Sequence, residues 1–388
     1  MHRNRNQGLL LSELGDHLLG GERGPAGEKR IASLIHSKKW GSGMILKYLW
    51  RGAHEKVREL LNDGEAAYVI WDESVLEKSE SLKAEGLCAV RSTKAARLKR
   101  IKPDYFNPPT DRPIFVPGFN WLQILVTGMT GAPVLAHLRW WTTRGEKASK
   151  KRLEEGKILR KVAKLWGKTV IHIWDRGFAG SPWTTLALDH QLRFILRWNK
   201  SYHLIGPDGR KHAVWKISRG KRSWEYRMIW DARRRCHRKT GVIALPVRLP
   251  NDDRPLFLVV SRPGYGRKPW YLITTEPVHT PDQAWQIVFA YARRWQIEMS
   301  LRFTKSEMAF ESPRLLNWEC RVKFLLIASL AYAFLLSLLT NVDFLFQFIS
   351  HYCHRTGKWS QNHSSTPLYR LRLALSRLWL HFCPLSLP

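Results

Sequence analysis

Acidic residues are in short supply. The chain has 32 Asp+Glu against 64 Lys+Arg, a formal net charge of +32 over 388 residues. A basic partner is disfavoured and a polyanion is expected, nucleic acid first and an anionic membrane surface second. Cysteine is scarce too: Cys88, Cys236, Cys320, Cys353 and Cys383 are odd in number, and no two form a CxxC pair. That speaks against a disulfide framework and for a reducing compartment. The HYCH run at His351 to His354 lacks a second half at zinc-ligand spacing, so no zinc is expected there. Long apolar runs are also missing. The N-terminus carries only a three-Leu run, too short for a signal peptide. Phe324 to Leu339 is mostly apolar but contains Ser329 and Ser337. A spanning helix needs about 20 apolar residues, so this segment is expected in the core, and the protein in the cytoplasm without a membrane partner.

What is present suffices for a packed fold. Hydrophobic residues make up 44% of the chain, enough for one large domain or two to three ordinary ones. Nineteen Trp residues supply flat surfaces on which bases could stack, although most Trp in a globular chain belong to the core.

Along the chain, residues 1–65 read as helices interrupted by GGERGPAGE. AAYVIWDES is a buried strand with Asp72 at or near its end, and Leu87–Ser92, Ile114–Gly128 and Val134–Thr143 supply further strands. Gly145 to Lys168 is Lys/Arg-rich with helical spacing. TVIHIWDRGFAG is again a strand ending in an acid, Asp175, with Gly177 allowing a tight turn. After LRFILRWNK come four alternating runs, read as a β-rich subdomain at 200–279 inserted into an α/β core at 66–199 and 280–345, with a basic tail at 346–388. Fifteen Lys/Arg against three Asp/Glu between Arg193 and Lys239 make the insert a DNA-backbone surface or simply a solvated charged face.

Thr280 to Met308 organises the rest. Thr280 is an N-cap, Pro281 suits the first turn and Gln283 completes a capping box. No Gly or Pro follows until Pro313, so one long helix is expected. At about 100° per residue, Tyr291, Arg294, Glu298, Arg302 and Lys305 share one polar stripe. Glu298 is the only acid between Asp282 and Glu307. It is either a metal ligand among phosphate-holding cations or part of a solvated face with i,i+4 ion pairs.

The spacing Y-x2-R-x3-E-x6-K of Tyr291, Arg294, Glu298 and Lys305 resembles the signature of the insertion-sequence-four transposases, a branch of the Asp-Asp-Glu superfamily. IWDES, WDRGF and WYLITTEPV are similar to other islands of that family. The order of strands, helix, strand and final helix is similar to an RNase-H-like domain. The resemblance implies a metal-binding catalytic triad of Asp72, Asp175 and Glu298, with Glu73 a rival ligand beside Asp72. The expected cofactor is two Mg²⁺, with Mn²⁺ as a substitute: two such ions can neutralise both the attacking and leaving oxygens of a phosphodiester. It further implies that Tyr291, Arg294 and Lys305 hold DNA phosphates and that Trp270 stacks on a flipped base, where a core Trp is the alternative. Arg197 is placed near the flipped strand, and Arg302 shares the stripe by helical geometry. Partners would be double-stranded DNA, as transposon ends and target, and a second copy in a homodimer. Residues 1–65, mildly basic with eleven Lys/Arg against eight Asp/Glu, recognise DNA ends or pack against the core. A nuclease without strand transfer and a non-catalytic DNA-binding remnant stay open as alternatives.

Overall fold

Apolar runs separated by Gly, Pro and polar turns fold into strands, and longer amphipathic stretches cover them. The computed structural model describes residues 8–78, 83–92, 94, 113–231, 235–264, 268–340, 342–353 and 368–382. Three helices come first, α1 (Leu11–Leu19), α2 (Gly24–His36) and α3 (Ser42–Asn62). Then follow β1 (Ala67–Glu77), β2 (Cys88–Arg91), β3 (Phe115–Thr127), β4 (Val134–Trp141), α4 (Lys151–Trp166), β5 (Val170–Trp174), α5 (Ser181–Asp189) and β6 (Arg193–Arg197). The next stretch is β7 (His203–Ile205), β8 (Lys211–Ala213), α6 (Val214–Ser218), β9 (Glu225–Asp231), β10 (Cys236–Leu249), β11 (Asp252–Pro263) and β12 (Trp270–Thr274). Helices α7 (Pro281–Ala292), α8 (Trp295–Ser306), α9 (Trp318–Ser337), α10 (Val342–Tyr352) and α11 (Leu368–Phe382) complete the described chain.

The described strands form one mixed sheet in the order β2-β3-β1-β5-β6-β12-β11-β10-β7-β8, with β4 also on β3 and β9 also on β10. Only β1–β5 and β5–β6 pair in parallel. The strands expected between 200 and 279 are therefore part of the same sheet, joined through β12 beside β6. Each face carries a core. Tyr68, Ile70, Ile171, Ile173, Ile195 and Leu272 pack under α7 to α9. Val69, Trp71, Trp174, Leu196 and Ile273 pack with α3, α4 and α5 on the other side.

The Gly-rich segment between α1 and α2 is mostly helix. Gly24 and Gly27 lie inside α2, and a Cβ on Gly27 would sit 2.3 Å from the Gly15 carbonyl of α1. These glycines let two helix backbones touch, and the break shrinks to the turn around Gly20.

Trp318–Thr340 is long and apolar enough to cross a membrane by composition, but half of its apolar window is buried within the protein. Arg321 and Lys323 are buried on this helix, with Arg321 donating to the carbonyls of Leu315, Leu316 and Glu85 and Lys323 to that of Ser37. Its packing is that of a core helix.

Candidate active site

Register brings the first two acids together. β1 and β5 run parallel with Trp71 opposite Trp174; Asp72 follows within β1 and Asp175 directly after the end of β5, close enough for its charge to act on Asp72. Side chains alternate between faces, and these two continue the rows Tyr68–Ile70 and Ile171–Ile173 onto the face covered by α7 to α9. Asp72 is not at the strand's end: β1 runs on to Glu77 against β3, and only its pairing with β5 stops at Trp71. The opposite face is backed by aromatic packing. Trp71 Nε1 donates to His172 Nδ1 at 3.1 Å, and Trp174 and Trp183 meet edge-on at 5.3 Å. Burial drives the His172 pKa down to about 3, so this backing is uncharged.

The Asp72 carboxyl is pushed up to about 7, first by burial and then by the charge of Asp175. Arg294 and the Glu73 backbone N–H, which donates to Asp72 Oδ1 at 2.8 Å, pull the other way. Asp175 caps the short 3-10 turn Arg176–Phe178 by accepting from Gly177 N at 2.6 Å. Gly177 does not take up a left-handed backbone. A Cβ there would lie 2.9 Å from Asp175 Oδ1, so the glycine gives the carboxylate room. Glu73 lies on the far face, where Lys151 pairs with it and the fully buried Glu155 is raised by burial and by Glu73 itself. Its side chain turns away from Asp72.

The expected single helix is two. The capping box at Thr280 and Gln283 is formed, but α7 ends at Ala292 and α8 begins at Trp295. Arg293 is drawn out of the helical surface to donate to the carbonyls of Gly128, Thr130 and Gly131 and to Thr127 Oγ1. The backbone tightens to i→i−3 bonds at Arg294, Gln296 and Ile297. Helix α8 then crosses β1 and β3, pinned by Gln123 Nε2 donating to Ser300 Oγ.

Arg294 stands between the acids. It lies 3.5 Å from Asp72 Oδ2 and pairs with Glu298 one turn along. Lys305 is half-buried and its pKa is lowered by desolvation, against the charges of Glu311, Glu77 and Asp72. Tyr291 is 2% exposed, packs edge-on against Trp270 at 5.2 Å and lies under Arg294, whose guanidinium is 5.8 Å from its ring. Its hydroxyl makes no hydrogen bond of good geometry, although Arg197 approaches it. Arg197 also stands 5.9 Å from the Trp270 ring. Eight of the nine expected residues thus share one neighbourhood. Arg302 stays exposed and makes no hydrogen bond or ion pair with them.

Among the described residues, no three His, Cys, Asp or Glu side chains are grouped to hold a metal ion. The expected triad is therefore not gathered as three: Asp72 and Asp175 are near neighbours and Glu298 is engaged by Arg294. Mg²⁺ typically takes only one or two carboxylates, with phosphate and water completing its shell, so the Asp72–Asp175 pair fits such an ion. Gln123 and Glu155 contribute to the frame without having been singled out from sequence, and Arg293, a basic neighbour of Glu298 along the chain, serves the helix break instead. A Gln inside the apolar run of β3 was the one visible signal among them.

A solved piggyBac transposase synaptic complex with hairpin DNA is similar at a TM-score of 0.42 and 14% identity, covering 84% of this chain and 55% of that one. The chain thus spans little more than half the length of that protein. Comparison with curated proteins finds no match. A family model described as a transposase DDE domain matches residues 110–334, a span that contains Asp175, Tyr291, Arg294, Glu298 and Lys305 and begins after Asp72. Since that match takes in more than half of the sequence, the chain belongs to the transposase DDE domain family.

Proposed function

We propose that this protein is a Mg²⁺-dependent transposase of the insertion-sequence-four type, which cuts DNA at the ends of its own element and joins the freed 3′-hydroxyls to a target. The observation that carries this reading is the nearness of Asp72 on β1 to Asp175 just past the end of the parallel strand β5, beneath a helix that presents Arg294, Glu298 and Lys305. In this account residues 66–199 and 280–345 form an RNase-H-like core, 200–279 an insert, 1–65 a helical leader and 346–388 a basic tail.

Asp72 and Asp175 would hold the metal, with Glu298 joining them once Arg294 is engaged elsewhere. The ions supply charge neutralisation at the attacking and leaving oxygens. A DNA phosphate is the natural competitor for Arg294, since guanidinium binds phosphate in a bidentate fork. Phosphate binding would release Glu298 into the site, so the carboxylate set would be completed only with DNA in place. Lys305 and Tyr291 flank the same position, and Trp270, with Arg197 beside it, would stack on a base displaced from the end. Cutting two ends together asks for a homodimer.

The test uses purified protein, DNA carrying already-cut element ends, Mg²⁺ and a plasmid target. Joined products are expected. Nicking without joining would favour a nuclease, and activity unchanged in Glu298→Ala would favour a non-catalytic reading of this site.

A further inference from the structure

On the face of the sheet opposite Trp270 there is a second basic hollow. Strand alternation sends Trp270 toward Tyr291 but sends its neighbour Tyr271 to the other side, with the core that contains Trp198. There a cavity of about 530 Å³ is lined by Arg176, Arg197, Lys200 and Lys268 together with the rings of Trp198, Trp215 and Tyr271. No carboxylate lines it, and among the described residues none of the four cations is paired with one. Trp215, on the short helix α6, is 36% exposed and flanked by Lys216 and Arg219, each 5.7 Å from its ring. A further hollow of about 360 Å³ meets the first at Trp215 and Tyr271 and adds Arg219, Lys221 and Arg262.

We propose that this cavity is a subsite for one unpaired nucleotide of a DNA strand, its base against Trp215 and Tyr271 and its phosphates on Lys200, Lys268 and Arg176. The inference rests on the DNA-processing reading above and deepens it. Three features select this ligand. The volume matches a nucleotide-sized ligand and is too small for a duplex. An exposed Trp215 and a half-buried Tyr271 beside unpaired cations are what an unpaired base and its backbone require. The cavity also borders the candidate site: Arg176, which lines it, directly follows Asp175, and Arg197 lines it and stands 5.9 Å from the Trp270 ring. A strand held at Asp175 therefore has a cationic path around the end of β6 into the hollow.

The experiment measures binding of the full chain in EDTA, by fluorescence anisotropy, to DNA of one sequence that is either blunt or carries a short single-stranded extension. Trp215→Ala, by loss of one stacked base, and separately Lys200→Ala combined with Lys268→Ala, by loss of two phosphate contacts, are each expected to weaken binding of the extended DNA by about tenfold. Binding of the blunt DNA should change by less than about twofold. The two lysines are exposed, so the second variant keeps the test valid if Trp215→Ala fails to fold. Equal losses on both DNAs, or none on either, would overturn the proposal. Displacement of the extended DNA by a free deoxynucleoside monophosphate would overturn it as well, reassigning the hollow to a free nucleotide. Because neither metal nor cleavage enters, absence of joining activity would leave this result standing. Failure of the wild type to bind either DNA would remove the broader reading along with it.

Discussion

Asp175→Asn is expected to reduce DNA cleavage by about three orders of magnitude or more while leaving DNA binding within about twofold. Charge stabilisation by a bound metal is worth several kcal/mol, and each ~1.4 kcal/mol is a factor of ten in rate. Asparagine keeps the size of the side chain and can still accept from Gly177 N through its carbonyl oxygen, so the turn Arg176–Phe178 should survive. What is lost is one of two neighbouring negative charges. Gel-based cleavage with matched binding curves separates the chemical step from association. A variant that cuts at the wild-type rate would remove Asp175 from the chemistry, whatever the family match.

The second large effect is on stability, and its sign is opposite to the usual one for a disrupted site. The Asp72 carboxyl is raised from an ordinary 3.8 to about 7, so the folded protein holds that proton more tightly than the unfolded chain does. Below about pH 4 both states are protonated and the group contributes no difference. Between about 4 and 7 the unfolded chain loses the proton more readily, and stability falls as pH rises; above about 7 the whole penalty is present. Three units correspond to roughly 4 kcal/mol at most. Asp72→Asn should therefore raise the unfolding free energy by about 2–4 kcal/mol near pH 8 in EDTA, with the gain disappearing near pH 4. It should also abolish cleavage. Mg²⁺ should stabilise the wild type and not the variant, since a ligand stabilises only the state that binds it. Denaturant unfolding at two pH values, with and without Mg²⁺, checks both signs; a variant less stable than the wild type in EDTA would contradict the account.

Much of this was legible in the residues. The runs around Asp72 and Asp175 could be read as strands because apolar, β-branched and aromatic residues fill both faces there, and Thr280–Gln283 announced a helix start that the structure forms. The features that escaped depend on tertiary partners. The helix break at Arg293 arises because the carbonyls of Gly128, Thr130 and Gly131 lie across from it, which no local pattern shows. The direction of Glu73 was undecided from sequence, and strand alternation settles it once Asp72 is known to lie mid-strand. A helical stripe placed Glu298 and Arg302 together, but Arg294 takes up the first and leaves the second exposed. The joining of the strands after β6 into one sheet is equally non-local: it rests on β12 pairing with both β6 and β11.

In the proposed function the site would have two charge states with different neighbours. Without DNA, Arg294 offsets the crowded carboxylates Asp72 and Glu298, much as a bound cation would. With a phosphate on Arg294, the carboxylates would lose the cation now paired with them, and the demand for a metal ion would rise. Metal and DNA are then expected to bind cooperatively.

The most direct test is anomalous diffraction from crystals of the protein grown with Mn²⁺, alone and with DNA. The account predicts a Mn²⁺ ion coordinated by both Asp72 and Asp175, and, in the DNA complex, Glu298 released from Arg294 and turned toward the metal. Mn²⁺ bound elsewhere, with no ion between those two carboxylates in either crystal, would contradict it.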